Sequence, residues 1–296
     1  MHRRSLLTAL ALAPLAARAD EPAAIPVVAS FSILADMVRQ IGGDAVSVAG
    51  LVPPDGDPHE YEPRPSDLRA IAATHLLAVN GLGLEGWMTR LVGAAGYRGP
   101  VVTASTGVKP RTMVEDGGAT VTDPHAWQDP RNGALYARNI ASALAKTDPA
   151  RAPQFHDAGE RYATAILETD AWIAQQFAPI PPARRIIITT HDAFGYFGAR
   201  YGVSVRAAEG ISTDAEPSAR DIAKLVGQIR RDHVRAVFLE NMTDPRLAAM
   251  LAQESGAALG DKVYSDALSP PGGPADTYLG MFRHNVPLFV ASMQPA

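Results

Sequence analysis

The chain has 296 residues, of which 47% are hydrophobic and 20% charged, a formal net charge of −4 and no cysteine. That size and apolar content suit an ordinary folded protein of one large or two medium domains with ample core. The mild acidity argues against nucleic acid as a partner, and the lack of thiols excludes both a disulfide framework and a thiolate metal site.

Residues 1–19 are expected to be a secretory signal. Arg3 and Arg4 precede the apolar stretch Leu6 to Leu15, and Ala17-Arg18-Ala19 forms an A-x-A exit before Asp20. The paired arginines permit twin-arginine export, with general secretion equally open. Loss of Arg3, Arg4 and Arg18 with this segment leaves 24 basic against 31 acidic residues. No other segment approaches the roughly 18 apolar residues needed to span a bilayer. Without a cysteine at the signal junction, a free periplasmic protein with no lipid anchor is expected.

From Ile25 onward, short β-branched runs alternate with amphipathic helical stretches. Pro26 to Ala29 reads as a strand, Ile33 to Ile41 as a helix and Val46 to Val52 as a strand. Further strand candidates are His75 to Val79, Val101-Val102, Arg185 to Thr190, Val203 to Ala207, Ala236 to Glu240 and Val263-Tyr264, with helical patterns between most of them. Such alternation predicts an α/β protein with mainly parallel sheets.

The middle breaks the pattern. Asn132 to Lys146 and Pro149 to Phe177 read as successive helices with no strand between them. Asp148 and Pro149 supply an N-cap and a first helical residue, and Pro179, Pro181 and Pro182 end the second helix. The prediction is two α/β lobes joined by a long linker helix, with boundaries at 20–148, 149–178 and 179–296. A single larger α/β domain with a helical excursion is the alternative.

Four residues on this map carry chemistry. His59 and His125 share a local signature, Asp57-Pro58-His59 and Asp123-Pro124-His125; His191 follows Thr190, and Asp266 follows Tyr264-Ser265. Three imidazoles and a carboxylate are what a tetrahedral divalent transition metal requires. Successive members are 66, 66 and 75 residues apart, so only a tertiary fold can assemble them and a zinc finger is excluded. His59, His191 and Asp266 each follow a predicted strand, where parallel α/β sheets bind ligands. Two candidates fall in each lobe, which places the metal in the cleft between them. The flanks of His191 do not resemble those of the other two histidines, so no internal repeat is inferred.

With these motifs the chain resembles the metal-binding substrate-binding proteins of bacterial ABC importers for zinc and manganese. The matching residues are the two Asp-Pro-His motifs, Ala126-Trp127 and Asp129-Pro130, Ala193 to Phe197 with Tyr201-Gly202, Gly210-Ile211-Ser212 with Glu216-Pro217-Ser218, and Asp266-Ala267-Leu268. The resemblance covers nearly the whole chain after residue 19. It implies two α/β lobes on a long rigid helix, a metal held in the interlobe cleft by His59, His125, His191 and Asp266, and delivery of that ion to an inner-membrane ABC permease powered by an ATPase. Many zinc-specific members carry a long histidine- and acid-rich loop before the second ligand. Here Pro110 to Thr122 is short and has no histidine.

The third position is His191, and family members with histidine there tend toward zinc, those with carboxylate toward manganese. Neutral imidazole suits zinc, and intrinsic affinity rises from manganese to zinc, so Zn2+ is the expected cargo and Mn2+ the alternative. Affinity is expected to fall as pH drops through roughly 6, because the imidazoles must be neutral. Each ring also needs a partner for its second nitrogen, for which Asp57, Asp123, Glu209 and Glu240 are candidates. His75, His156, His233 and His284 are expected to be structural or solvated, and Trp127, Phe194, Tyr196 and Phe197 to line the cleft or pack behind it.

A zinc hydrolase is the competing class, but Asp266 as a fourth protein ligand closes the shell, and neither H-E-x-x-H nor G-x-S-x-G occurs. No enzymatic activity is expected. An organic-solute receptor would also have two lobes, yet the polar set at the cleft favours an ion. A monomer is expected. Adhesion or metallochaperone-assisted loading would be additional roles on which no residue bears.

Overall fold

A computed structural model describes residues 23–114, 120–208, 210, 213 and 217–294. The expected signal and Glu209 therefore lie outside the described residues.

The chain opens with β1 (Ile25–Ala29), α1 (Ser32–Gly42), β2 (Val46–Gly50), α2 (Pro65–Ala73), β3 (Leu76–Val79), α3 (Met88–Ala94) and β4 (Val101–Thr103). These strands form a parallel sheet in the order β2-β1-β3-β4. The two central strands β1 and β3 are buried along most of their length, and Val27, Val28, Leu76 and Leu77 are at most 2% exposed. Each such aliphatic side chain contributes about 1.5–3 kcal/mol by leaving water.

A hairpin follows, β5 (Arg111–Val114) against β6 (Thr120–Asp123), antiparallel with Arg111 opposite Asp123. It occupies the stretch that the sequence marks only as a short loop. Its residues, Arg-Thr-Met-Val and Thr-Val-Thr-Asp, mix polar and apolar types too evenly to show an apolar run.

Next come α4 (Pro130–Thr147) and α5 (Ala152–Phe177), which pack along each other and form the predicted strandless middle. Asp148 Oδ1 caps this entry by accepting the N–H groups of Ala150 and Arg151 at 3.1 and 3.3 Å. The first turn, Pro149–Arg151, is a 3-10 turn closed by the N–H of Ala152 on the carbonyl of Pro149. Pro153 lacks the N–H that an α-turn would return to that carbonyl, so the α-helix proper starts at Ala152.

The second lobe comprises β7 (Ile186–Thr189), α6 (Gly195–Tyr201), β8 (Ser204–Ala207), α7 (Ala219–Arg231), β9 (Ala236–Glu240), α8 (Pro245–Ser255) and β10 (Ala258–Val263), and the chain ends in α9 (Tyr278–Met293). Its parallel sheet runs β10-β9-β7-β8. β10 starts earlier than Val263-Tyr264 suggest, because its first five residues, Ala-Leu-Gly-Asp-Lys, lie on an edge and are mostly exposed. α9 does not stay with the second sheet alone; it also packs along α5 and touches α1.

Two α/β units with parallel sheets and a long helix between them are thus what the structure contains. Their apolar cores divide differently. One large cluster joins the first lobe, α5, α9, α6 and one side of the second sheet, including Phe197, Phe238, Val263 and Phe289. A second, smaller cluster of Ile188, Leu225, Ile229, Val237 and Leu251 lies where α7 and α8 cover the sheet's outer side.

Candidate metal centre

The Asp-Pro-His motif has one physical role at both places. Asp57 Oδ1 accepts the N–H of His59 at 2.8 Å, and Asp123 Oδ1 accepts the N–H of His125 at 3.0 Å. In each case the aspartate folds its own chain back two residues on, an Asx turn that fixes where the histidine leaves the backbone. His191 stands two residues after β7 and Asp266 three after β10, at the carboxyl ends of parallel strands.

The fold brings the four residues together. One ligand-type atom from each of His59, His125, His191 and Asp266 lies within 4.8 Å of all the others. Asp266 Oδ2 is the centre: the Nε2 atoms of His191, His59 and His125 approach it to 3.0, 3.1 and 3.4 Å. His125, His191 and Asp266 are fully buried. Asp266 Oδ1 is buried with no hydrogen-bond partner, and among the described residues no lysine or arginine pairs with this carboxylate. Burying a carboxylate among imidazoles is costly unless a positive charge joins them.

The electrostatics express that demand as protons. Burial alone would push His125 down, but the Asp266 and Asp123 carboxylates outweigh it and hold the imidazole up at about 9. His191 is likewise held well above its ordinary value, against burial, by Glu240 and Asp266. Asp266 is drawn well below the carboxylate range, burial notwithstanding, by His125 and His191. A divalent cation with four N and O donors would replace these protons, so the donor set fits such an ion.

Behind the donors, Asp123 Oδ1 faces Nδ1 of His125 at 2.9 Å. Glu240 Oε2 lies 2.8 Å from Nδ1 of His191 as an ion-pair contact, poorly aligned for a hydrogen bond. Glu240 Oε1 meanwhile accepts the N–H groups of Thr190 and His191 and the Thr190 hydroxyl. Asp57, by contrast, serves the backbone of His59 and accepts the Thr213 hydroxyl on its other oxygen. Trp127, Phe194, Tyr196 and Phe197 are all buried, with Trp127 beside His125. Of the other histidines, His75, His156 and His233 are exposed, and His284 faces the carbonyl of Lys262.

Sequence reasoning missed Gln128, whose amide donates to the carbonyl of Ser265 at 2.7 Å, and Ser32, whose hydroxyl accepts the N–H of Leu268 at 2.9 Å. Neither residue type is unusual in its local sequence, so no signal there marks it.

A family model described as zinc-uptake complex component A, periplasmic, matches residues 27–291. The manganese-binding lipoprotein MntA of Halalkalibacterium halodurans is 34% identical over 91% of this chain and 88% of its own length. The manganese ABC transporter substrate-binding lipoprotein PsaA of Streptococcus pneumoniae is 31% identical over 88% of this chain and 86% of its own. Among solved structures, the periplasmic zinc-binding protein TroA of Treponema pallidum superposes with a TM-score of 0.86 at 28% identity, covering 92% of this chain and 100% of TroA.

The relatives correct one expectation. MntA and PsaA are named lipoproteins, proteins attached to a membrane by lipid, which overturns the expectation of a protein with no lipid anchor. That expectation rested on the absence of a cysteine at the expected signal junction. The family consists of solute-binding receptors, not enzymes, so the hydrolase alternative falls away. By a match over most of its length, this chain belongs to the family of metal-binding substrate-binding proteins that serve ABC transporters.

Proposed function

We propose that His59, His125, His191 and Asp266 bind one Zn2+ as cargo and pass it to an inner-membrane ABC permease. The observation that carries this reading is the convergence of three imidazole Nε2 atoms on the buried Oδ2 of Asp266. A set of three nitrogens and one carboxylate suits zinc better than manganese, which prefers oxygen donors.

Manganese is the second reading. The names of MntA and PsaA as manganese proteins favour it, as does a Mn-bound periplasmic metal-binding protein from Candidatus Liberibacter asiaticus, with a TM-score of 0.83 at 27% identity over 90% of this chain and 99% of that one. TroA, named for zinc, supports the first reading.

The test is native mass spectrometry of purified protein, stripped of metal and re-exposed to zinc and manganese at equal buffered free concentrations. One zinc per chain, lost in His191→Ala, is the expected result. One manganese per chain would replace zinc by the second reading, and no bound metal would remove both.

A further inference from the structure

Tyr196 is the second residue of α6, the helix that follows His191, yet its hydroxyl serves the hairpin of the first lobe. The oxygen accepts the N–H of Arg111, the first residue of β5, at 2.9 Å, and donates to the carbonyl of Asp123, the last residue of β6, at 3.2 Å. Arg111 and Asp123 face each other in the hairpin register, so one hydroxyl bridges the backbones of the pair at the base of the hairpin. A phenol has a single proton to donate and lone pairs with which to accept, and here both capacities are used. Phenylalanine would fill the same space and supply neither bond.

The surroundings hold this contact in place. Tyr196 is buried, and the Arg111 guanidinium lies over its ring at 5.6 Å. Nε of Arg111 also stands 3.6 Å from Asp123 Oδ2. The residue before the tyrosine is Gly195, whose missing Cβ lets the start of α6 come close to that same carboxylate oxygen. Further along, α6 is tied to the long helix α5. Arg200 pairs with both oxygens of Asp170 at 2.9 and 2.7 Å, and Tyr201 donates to Asp170 Oδ1 at 2.8 Å. α6 is therefore a fixed base from which Tyr196 reaches the hairpin.

Asp123 is the residue whose Oδ1 holds both the N–H and the ring Nδ1 of His125. Its backbone position decides where that carboxylate stands, and Tyr196 fixes the position from the side of His191. We infer that Tyr196 is a positioning residue for zinc: through the backbone of Asp123 its hydroxyl sets the ring of His125. Because α6 continues the chain from His191, the same contact keeps a donor of the first lobe in register with one of the second. This inference rests on the reading of the four residues as a zinc site. A ligand constellation tolerates displacements of only about 0.5 Å, so a carboxylate that drifts with its strand end misplaces the ring it orients.

The test measures zinc affinity, by competition with a chromophoric chelator, in the unaltered protein, Tyr196→Phe and Tyr201→Phe. Tyr201→Phe deletes a buried hydroxyl from the same helix, one that bonds Asp170 and not the hairpin, and so reports what loosening α6 does by itself. Tyr196→Phe is expected to weaken zinc binding about tenfold, the lower end for groups that orient a ligating histidine. Tyr201→Phe is expected to lower Tm at least as much and to leave affinity unchanged. In a double-mutant cycle, Tyr196→Phe added to Asp123→Ala is expected to cost little further affinity, because the residue through which it acts is gone. Unchanged affinity in Tyr196→Phe, equal losses in the two tyrosine variants, or a loss that simply adds to that of Asp123→Ala overturns the inference. If Asp123→Ala does not fold, the two tyrosine variants decide alone. No zinc bound to the unaltered protein would instead be a failure of the metal-site reading.

Discussion

Asp123 grips His125 twice with one oxygen, which lies 3.0 Å from the histidine N–H and 2.9 Å from its ring Nδ1. The first contact fixes the backbone and the second fixes the ring, leaving Nε2 aimed at Asp266. Asp123→Ala removes both. Groups that orient a ligating histidine are typically worth 10–100-fold in metal affinity, so a loss of about that size is expected for zinc in competition with a chromophoric chelator.

Glu240 separates stability from affinity. Glu240→Gln keeps an oxygen to accept the Thr190 and His191 N–H groups but removes the charge beside His191 Nδ1. Zinc affinity is expected to fall on the order of tenfold with little change in Tm. Glu240→Ala also leaves two buried N–H groups without an acceptor, at about 1–3 kcal/mol each, and is expected to lower Tm clearly. Equal Tm values for the two variants would contradict this division of labour.

Gly195 acts on the site through space alone. A Cβ there would stand 2.8 Å from Asp123 Oδ2 and 3.4 Å from the Arg111 guanidinium. Asp123 is a short side chain already held by His125, so it has little room to yield. Gly195→Ala is expected to weaken zinc binding without altering any of the four donors, and an unchanged Kd by calorimetry would show that the carboxylate moves freely.

The pH dependence differs from what free histidines would show. The carboxylates around them hold His125 up at about 9 and His191 well above its ordinary value, which favours the protonated form of both rings at neutral pH. Zinc needs them neutral and must expel those protons. Apparent affinity is therefore expected to climb as pH rises toward 9, and to fall continuously below it instead of only through roughly 6, where unperturbed histidine titrates. Calorimetry at pH 7 in buffers of different ionisation enthalpy should register proton release on binding. Zero release would show that the rings are already neutral.

Much of this protein is local and so readable in order along the chain. The β-branched runs at Val27-Val28 and Ile187-Ile188 specify buried parallel strands, Asp148-Pro149 marks the start of the long helical segment, and each Asp-Pro-His motif builds its own turn from neighbouring atoms. The four donor candidates stand out by residue type, with His59, His191 and Asp266 also marked by following predicted strands and His125 by its Asp-Pro-His motif. The hairpin at 111–123 is not legible, since pairing between two weakly patterned strands depends on register rather than on composition.

What the sequence by itself determined is the α/β alternation, the strandless middle and the identity of four candidate metal-ligating residues. Only the tertiary structure decided that three imidazoles meet at one oxygen of Asp266, that Glu240 serves the ring of His191 while Asp57 serves a backbone, and that the chain around Asp266 is fastened to the first lobe. The reason is physical: strand, helix and turn formation rest on neighbours within a few residues, whereas the bonds from Ser32 to Leu268 and from Gln128 to Ser265 join residues more than a hundred positions apart. Their donors and acceptors are ordinary amides and hydroxyls, whose partners are chosen by packing alone.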